Sequence, residues 1–514
     1  MQWFQDAKFG IWAHWGPQSV PMRGDWYARR LYLAPVEPGP EEIGPTSRRL
    51  FHERHYGHPS RFGHKDICHA WKAERWDPEG LLDLYARVGA RYFVALANHI
   101  DNFDLWDSAY QPWNAVTVGP RTDVVGRWAR AANERGLPFG LSFHANWSWQ
   151  LLDVAFGADE EGADAGLPYD GRLTAADGQG TWWEGLDPAD LYDRPRRGAE
   201  PPDPAYVERF YRRVWDAFSR YRPQYVYFDD SRLPFDAGSV CETVPPSARG
   251  WEVVRDMHDR SRQWHGDGGR VVPTVKRLHG DDDDLLALDV ERHLLTEAQP
   301  RPWQMDTCLG HWFYDEGLEY KSAGQIIRML VDVVSKNGNL LLSVPQRPDG
   351  TIDDREVAIL EEIGTWLAGN GEAIFGTRPW QVCGEGPTTG ELTVGRSDRF
   401  REVDLPYTAA DIRFTARDNV LYATILGRPD DALVRLASLG SAAGLLAGDP
   451  LGVEVVGAGA ATVSWERRDD ALVVRLPERL PWKYAVTLRI ALRGGMPGLG
   501  ARTHTSMVAE SGPR

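Results

Sequence analysis

The first two-thirds of the chain alternate short apolar runs with amphipathic helical patterns, and no other feature narrows the fold as much. The strand candidates are KFGIWAHWG, RYFVALANH, PFGLSFHAN, YVYFDD, VVPTVKRL, LALDVER and GNLLLSVPQ, each short, rich in β-branched or aromatic residues, and ending in polar groups. Helical patterns lie between them. Leu81, Leu82, Leu84, Tyr85 and Val88 share one apolar face. Val124, Val125, Trp128, Ala131 and Ala132 share another, with Thr122 or Asp123 as cap and Gly136 as stop. Tyr206, Val207, Phe210, Tyr211, Val214 and Phe218 make a third, and Ser322 with Gln325 reads as a capping box. Repeated strand–helix units imply parallel strands with helices outside. Seven or more such units favour a closed (β/α)8-like TIM barrel over an open doubly wound sheet, and no GxGxxG or Walker pattern follows the first strand.

After Trp380 the helical period fades. DIRFTARDN, NVLYATILG, DALVVRLP and YAVTLRIAL are strand-like, with Gly, Pro and Asp at the turns, which reads as a C-terminal β-sandwich. The expected organisation is a catalytic barrel over 1–375, a sandwich over 376–500 and a flexible tail over 501–514.

Composition excludes several classes. A net charge of −16 argues against a nucleic-acid surface, which wants clustered Lys and Arg. Four widely spaced Cys, with no CxxC, exclude a disulfide scaffold and a cysteine zinc site. No run reaches transmembrane length, and the opening MQWFQDAKFGIW has no signal-peptide pattern. The expectation is no membrane contact and a cytoplasmic address for the sequence as written, or a secreted or periplasmic one if a leader has been removed. Association into a homo-oligomer is left open. The 22 Trp raise the prior for carbohydrate, whose C–H faces pack on flat rings, although most single Trp are expected in the core.

In a parallel barrel the C-terminal strand ends and their loops build the active site. Those ends carry His14; His99 with Asp101 and Asn102; His144 with Asn146 and Trp147; Asp229 with Asp230; Lys276 with Arg277; and Glu291 with Arg292. No nucleophilic Ser or Cys stands beside a His, so acyl transfer is disfavoured. Carboxylates on different strands, with His and Trp around them, suit glycoside hydrolysis, which needs one ionised and one protonated carboxyl. A divalent-metal hydrolase is the rival, but the first strand supplies one His and no HxH pair. His52, His55 and His58 lack a fourth ligand pattern, and the acidic run 281–284 lacks the spacing of a calcium loop.

At these residues the sequence resembles the α-L-fucosidases of glycoside hydrolase family 29. The resemblance rests on KFGIWAHWGPQSVP with DWYAR, on NHIDNFDLWDSAYQPWN with VGPRTDVVG, and on PWQMDTCLGHWFY, KSAGQIIRMLVDVVSKNGNLLLSVPQRPDGTI and GNGEAIFGTRPW, in that order over about residues 2–380. It implies exo-acting removal of terminal α-L-fucose from a fucosylated oligosaccharide or related glycan, with retention of configuration and neither metal nor other cofactor. Asp229 matches the nucleophile in YFD, with Asp230 as support. Glu291 matches the acid/base, with Glu297 as fallback, and an acid needs a raised pKa, for which an apolar wall is the usual means. His14, His99 and His144 match sugar-binding positions, as do Trp26, Tyr27 and Arg277. One departure is Ile100, where many family members carry a second His. A buried hydroxyl left unsatisfied costs about 1–3 kcal/mol. Ile100, with Phe143 ahead of His144, therefore implies a more apolar site. The consequence would be either a preference for a galactose-type ring or a weakly active, carbohydrate-binding relative.

Overall fold

The computed structural model describes residues 1–34, 48–196, 200–229, 233–235, 248–278, 284–389, 405–458, 463–480 and 482–493. Asp230, Cys241, Asp281–Asp283 and the tail 501–514 lie outside the described residues.

Eight parallel strands close into a barrel: β1 (Phe9–Ala13), β2 (Phe93–Asn98), β3 (Phe139–Phe143), β4 (Tyr225–Phe228), β5 (Val272–Val275), β6 (Ala287–Asp289), β7 (Trp303–Cys308) and β8 (Gly338–Ser343). β8 pairs back onto β1, Phe9 against Leu340. Seven of these strands coincide with the apolar runs above. The exception is β7, WQMDTC, whose interior-facing positions carry Gln304 and Asp306 instead of aliphatic residues. A polar inward face breaks the apolar run by which a buried parallel strand is recognised.

The helices follow their sequence signals. Pro78–Arg87 and Val124–Glu134 are capped by Asp77 and Asp123, whose side chains accept from Gly80 and Gly126 N–H. The second stops at Gly136, whose φ of 64° lies in the left-handed region where a Cβ is penalised. Ser322 and Gln325 form the capping box of Ala323–Ser335.

Two further features position the site. The N-terminal helix Gln2–Ala7 closes the bottom of the barrel with Phe4, which packs against Tyr92 and Tyr225. The C-terminal strands form a five-stranded sheet, β13 (Gly452–Val455), β16 (Val486–Ala491), β11 (Val420–Ile425), β10 (Ile412–Arg417) and β9 (Arg378–Glu385). A three-stranded sheet of β12 (Leu433–Leu436), β15 (Leu472–Arg475) and β14 (Ser464–Arg467) faces it across a separate apolar core. Arg413 on β10 reaches back to Asp332 of the barrel helix at 2.5 Å, and Asp332 also takes Lys336 at 2.6 Å. Trp366 donates to Ala485 O and Arg328 to Leu426 O across the same seam. Fourteen of the 22 Trp are buried, so the aromatic excess goes mainly into cores. Among the described residues, no helix is long and apolar enough to cross a membrane.

Candidate active site

Five strands deliver their next residue to one place. His14 follows β1, His99 follows β2, His144 follows β3, Asp229 follows β4 and Lys276 follows β5. The register makes this possible: Phe143 pairs with Phe228 and Phe228 with Val275, so 144, 229 and 276 emerge side by side. Between β2 and β3 the register slips at Ala97, and Asn98, not Ala97, faces Phe143. That extra residue brings His99 level with His144, their rings 4.4 Å apart.

Asp229 sits at the centre, 5% exposed. Its Oδ1 takes Lys276 Nζ at 2.8 Å and its Oδ2 faces His144 Nδ1 at 3.2 Å. Burial alone would raise this carboxyl, but the Lys276 ammonium and the His144 ring outweigh it and hold Asp229 well below the usual carboxylate range. Lys276 also holds Glu291 Oε2 at 2.7 Å. Burial would discharge Lys276; the two carboxylates override it and keep the ammonium well above its ordinary range. Two contacts of 2.8 and 2.7 Å to one nitrogen place an oxygen of each carboxyl no farther apart than the sum of those distances.

Two of the imidazoles, His14 and His99, are built as neutral hydrogen-bonding groups. Burial pushes His14 down to about 3, and its Nδ1 lies 3.0 Å from Ser343 Oγ. Its ring lies against Trp12 and Trp312, with centroids 3.8 and 4.9 Å away. Burial likewise holds His99 well below its usual range. Gln18 Oε1 accepts Ala28 N–H at 3.2 Å, which turns the Gln18 amide nitrogen toward His99 Nδ1 at 2.9 Å. His99 therefore carries its proton on Nε2, facing Asp25 Oδ1 at 3.8 Å. Burial lifts Asp25 to about 6, with its Oδ1 accepting Trp26 N–H at 2.8 Å.

Several sequence expectations are sharpened or corrected. Trp26 keeps exposed surface, presents its ring to His144 at 6.5 Å and holds a left-handed φ of 63°. For a bulky residue that conformation stores about 1–3 kcal/mol of strain, which collects at ligand clamps. Tyr27 instead has no exposed surface, and its hydroxyl is taken by His52 at 3.0 Å, so it supports the loop and offers nothing to a sugar. Arg277 is half-buried, and its neighbour Lys276 is the cation on Asp229. Glu297 is exposed and belongs to the descending loop, where Gln299 N–H already bonds Lys336 O beside the start of β8. It therefore lies toward the far end of the barrel from Asp229, while Glu291 lies at the mouth. Phe143 pairs with Phe228, whose neighbours Tyr227 and Asp229 point inward, so Phe143 faces the helices. Phe143 therefore adds no apolar surface to the pocket. Ile100 is fully buried.

Sequence reasoning placed Lys276 at a strand end without a role and left out Asp25. The strand-end position was the available signal for the first. For the second, only its place ahead of Trp26 pointed toward the site.

His14, His99 and Asp229 offer ligand atoms within 4.8 Å of one another. A cation among them would sit beside the Lys276 ammonium, so the donor set suits a hydroxylated ring better. The other cluster found among the described residues, Glu53, His58 and Asp159, encloses Arg49, which bonds Glu53 at 2.6 Å and both Asp159 oxygens at 2.9 Å. His52 and His55 turn instead to Phe62 O and Phe51 O. A barrel mouth with an ionised carboxylate, a second carboxyl nearby, neutral imidazoles and an aromatic rim has the parts of a glycosidase site.

The comparisons agree. The family model for alpha-L-fucosidase matches residues 1–372. The tissue alpha-L-fucosidase of Rattus norvegicus is 24% identical over 454 residues, 85% of this chain and 78% of the relative. The alpha-L-fucosidase of Dictyostelium discoideum is 24% identical over 74% of this chain and 72% of its own length. The Thermotoga maritima alpha-fucosidase, solved with a mechanism-based inhibitor, superposes with a TM-score of 0.68 at 24% identity, covering 95% of this chain and 96% of its own. The chain belongs to the alpha-L-fucosidase family and is a glycosidase.

Proposed function

We propose that the chain is a retaining exo-α-L-fucosidase acting on terminal fucose of glycans, with Asp229 as nucleophile and Glu291 as acid/base. The observation that carries this reading is the single Lys276 ammonium held between Asp229 and Glu291. Carboxyl groups about 5–5.5 Å apart accompany retention, whereas about 6.5–9.5 Å leaves room for the water of inversion. In the first step Asp229 Oδ attacks the anomeric carbon, and Glu291 gives its proton to the departing glycosidic oxygen. In the second, Glu291 takes a proton from water, whose oxygen displaces the Asp229 ester and releases the sugar with its original configuration. A protonated Glu291 can still accept from Lys276 through Oε2 while the O–H on its other oxygen turns to the leaving group. His14 and His99 supply neutral donors and acceptors for ring hydroxyls, His144 steadies Asp229, and Trp26 forms the rim.

Hydrolysis of an aryl α-L-fucoside tests the reading, together with azide rescue of two variants. Asp229→Gly should yield the inverted glycosyl azide and Glu291→Ala the retained one. Full activity in Asp229→Ala, or rescue by azide in neither variant, would sink the assignment. A second reading follows from Ile100, which withholds an imidazole from the loop after His99: the ring accepted is then a galactose-type relative, or turnover is weak. Rates on α-L-fucoside, α-L-galactoside and β-D-galactoside decide between the two readings.

A further inference from the structure

Beneath the reacting groups, the barrel interior is polar. Alternation along β4 points Tyr225, Tyr227 and Asp229 inward at successive levels, and along β6 it stacks Asp289 under Glu291. Barrel interiors are ordinarily filled with branched aliphatic residues. Here the Tyr227 hydroxyl lies 2.8 Å from Asp289 Oδ2 and 3.2 Å from Asp306 Oδ2. A phenol has one proton to give. It can satisfy one carboxylate; the other must bring a proton and donate to the phenol oxygen.

The partners decide which one. Asp289 Oδ1 accepts from Gln304 Nε2 at 2.9 Å, so Asp289 has a donor on each oxygen. Gln304 is itself oriented by Tyr225 and Tyr92, whose hydroxyls donate to its Oε1 at 2.9 and 3.3 Å. Asp306 Oδ1 is buried with no hydrogen-bond partner among the described residues. An ionised carboxylate with an empty oxygen at 1% exposure is costly, whereas a neutral acid tolerates it far better.

We propose that Asp306 acts as a neutral carboxylic acid and positioning residue, holding one proton with Tyr227 and Asp289 below Lys276, so that Lys276 is left to Asp229 and Glu291. The groups facing it are Asp289 and Glu291 from β6 and its end, Tyr227 and Asp229 from β4 and its end, and Lys276 from the end of β5. Burial, and then the neighbouring Asp289, push Asp306 well above the usual carboxylate range, in keeping with the geometry. The proposal rests on the reading of Asp229 and Glu291 as the reacting pair only for its kinetic consequence.

Infrared difference spectra of the full chain at neutral pH, parent minus Asp306→Asn, test the proton directly. The expected result is a carbonyl stretch of a protonated carboxyl; a carboxylate band in its place overturns the proposal. If Asp306→Asn does not fold, parent minus Tyr227→Phe serves instead. The acid then loses the oxygen it donates to and its carbonyl stretch must move; an unmoved spectrum overturns the proposal. In kinetics, Asp306→Asn should keep kcat/KM within about threefold of the parent, with the pH–rate limbs in place. Asp306→Ala should lower kcat about tenfold with little change in KM. A larger loss in Asp306→Asn, or an acid limb moved to lower pH, would mean that Asp306 is ionised and shares Lys276 with Asp229. Should Asp229→Ala leave hydrolysis intact, the functional reading fails while the infrared result at Asp306 stands by itself.

Discussion

Lys276 is the residue on which the site's charges balance. It keeps Asp229 ionised inside a buried pocket and at the same time ties Glu291 to the same point. Lys276→Met is expected to lower kcat/KM by about a hundredfold, through an uncompensated buried carboxylate and a loosened acid. The direction with pH follows from Asp229, whose carboxyl must be charged to attack. Lys276 depresses its pKa, so its removal raises that pKa and shifts the acid limb of the pH–rate profile to higher pH. A limb that stays in place would show that Lys276 does not face Asp229. Asp229→Ala should cost at least about a thousandfold in kcat, read as initial rates on an aryl fucoside. The carboxylate was legible in the sequence as the first residue past YVYF. Its cation was not, because Lys276 and Arg277 are both basic and only the register of β4 with β5 shows which one emerges beside Asp229.

At the scale of elements, the turn from the first helix into β1 carries a cost. Lys8 is fully buried at φ 62°, its Nζ has no hydrogen-bond partner among the described residues, and burial pushes it down to about 7. The folded state thus binds fewer protons than the unfolded state between about pH 7 and the ordinary lysine range. Stability contributed by this group therefore rises with pH across that window, and the full cost is present below it. Lys8→Met is expected to stabilise the protein by on the order of a few kcal/mol near pH 7, with the gain shrinking toward pH 10. Urea denaturation at the two pH values checks this; an equal gain at both would show that the amine does not titrate in that window. The elements themselves were largely readable. Helix faces, caps and seven strands followed from periodicity, while β7 was hidden because Gln304 and Asp306 occupy the positions an apolar strand would fill. In the C-terminal region, β12, β13 and β14 are four residues each, too short to declare a period before they pair.

For the whole molecule, the sandwich is held to the barrel by Asp332, buried between Lys336 and Arg413. Arg413→Met is expected to cost about 2–4 kcal/mol, since it removes one of the two cations on a buried carboxylate and leaves Asp332 to Lys336 alone. Chemical denaturation measures the loss. Because the reacting groups lie at the barrel mouth, kcat on an aryl fucoside at ambient temperature should change less than about threefold. A large kcat loss in a folded Arg413→Met would mean that the sandwich reaches the site.

The sequence by itself determined the alternation of strands and helices, the switch to strands after Trp380, the run of polar residues at strand ends and the family resemblance. These are local patterns, set by side-chain periodicity and by residues that follow one another along the chain. Tertiary structure alone decided that Glu291 and not Glu297 stands by Asp229, that Tyr27 is a support while Trp26 faces the mouth, and that Phe143 belongs to the outer core. Each depends on which strand lies beside which, and at what register. A shift of one residue there turns every side chain to the opposite face.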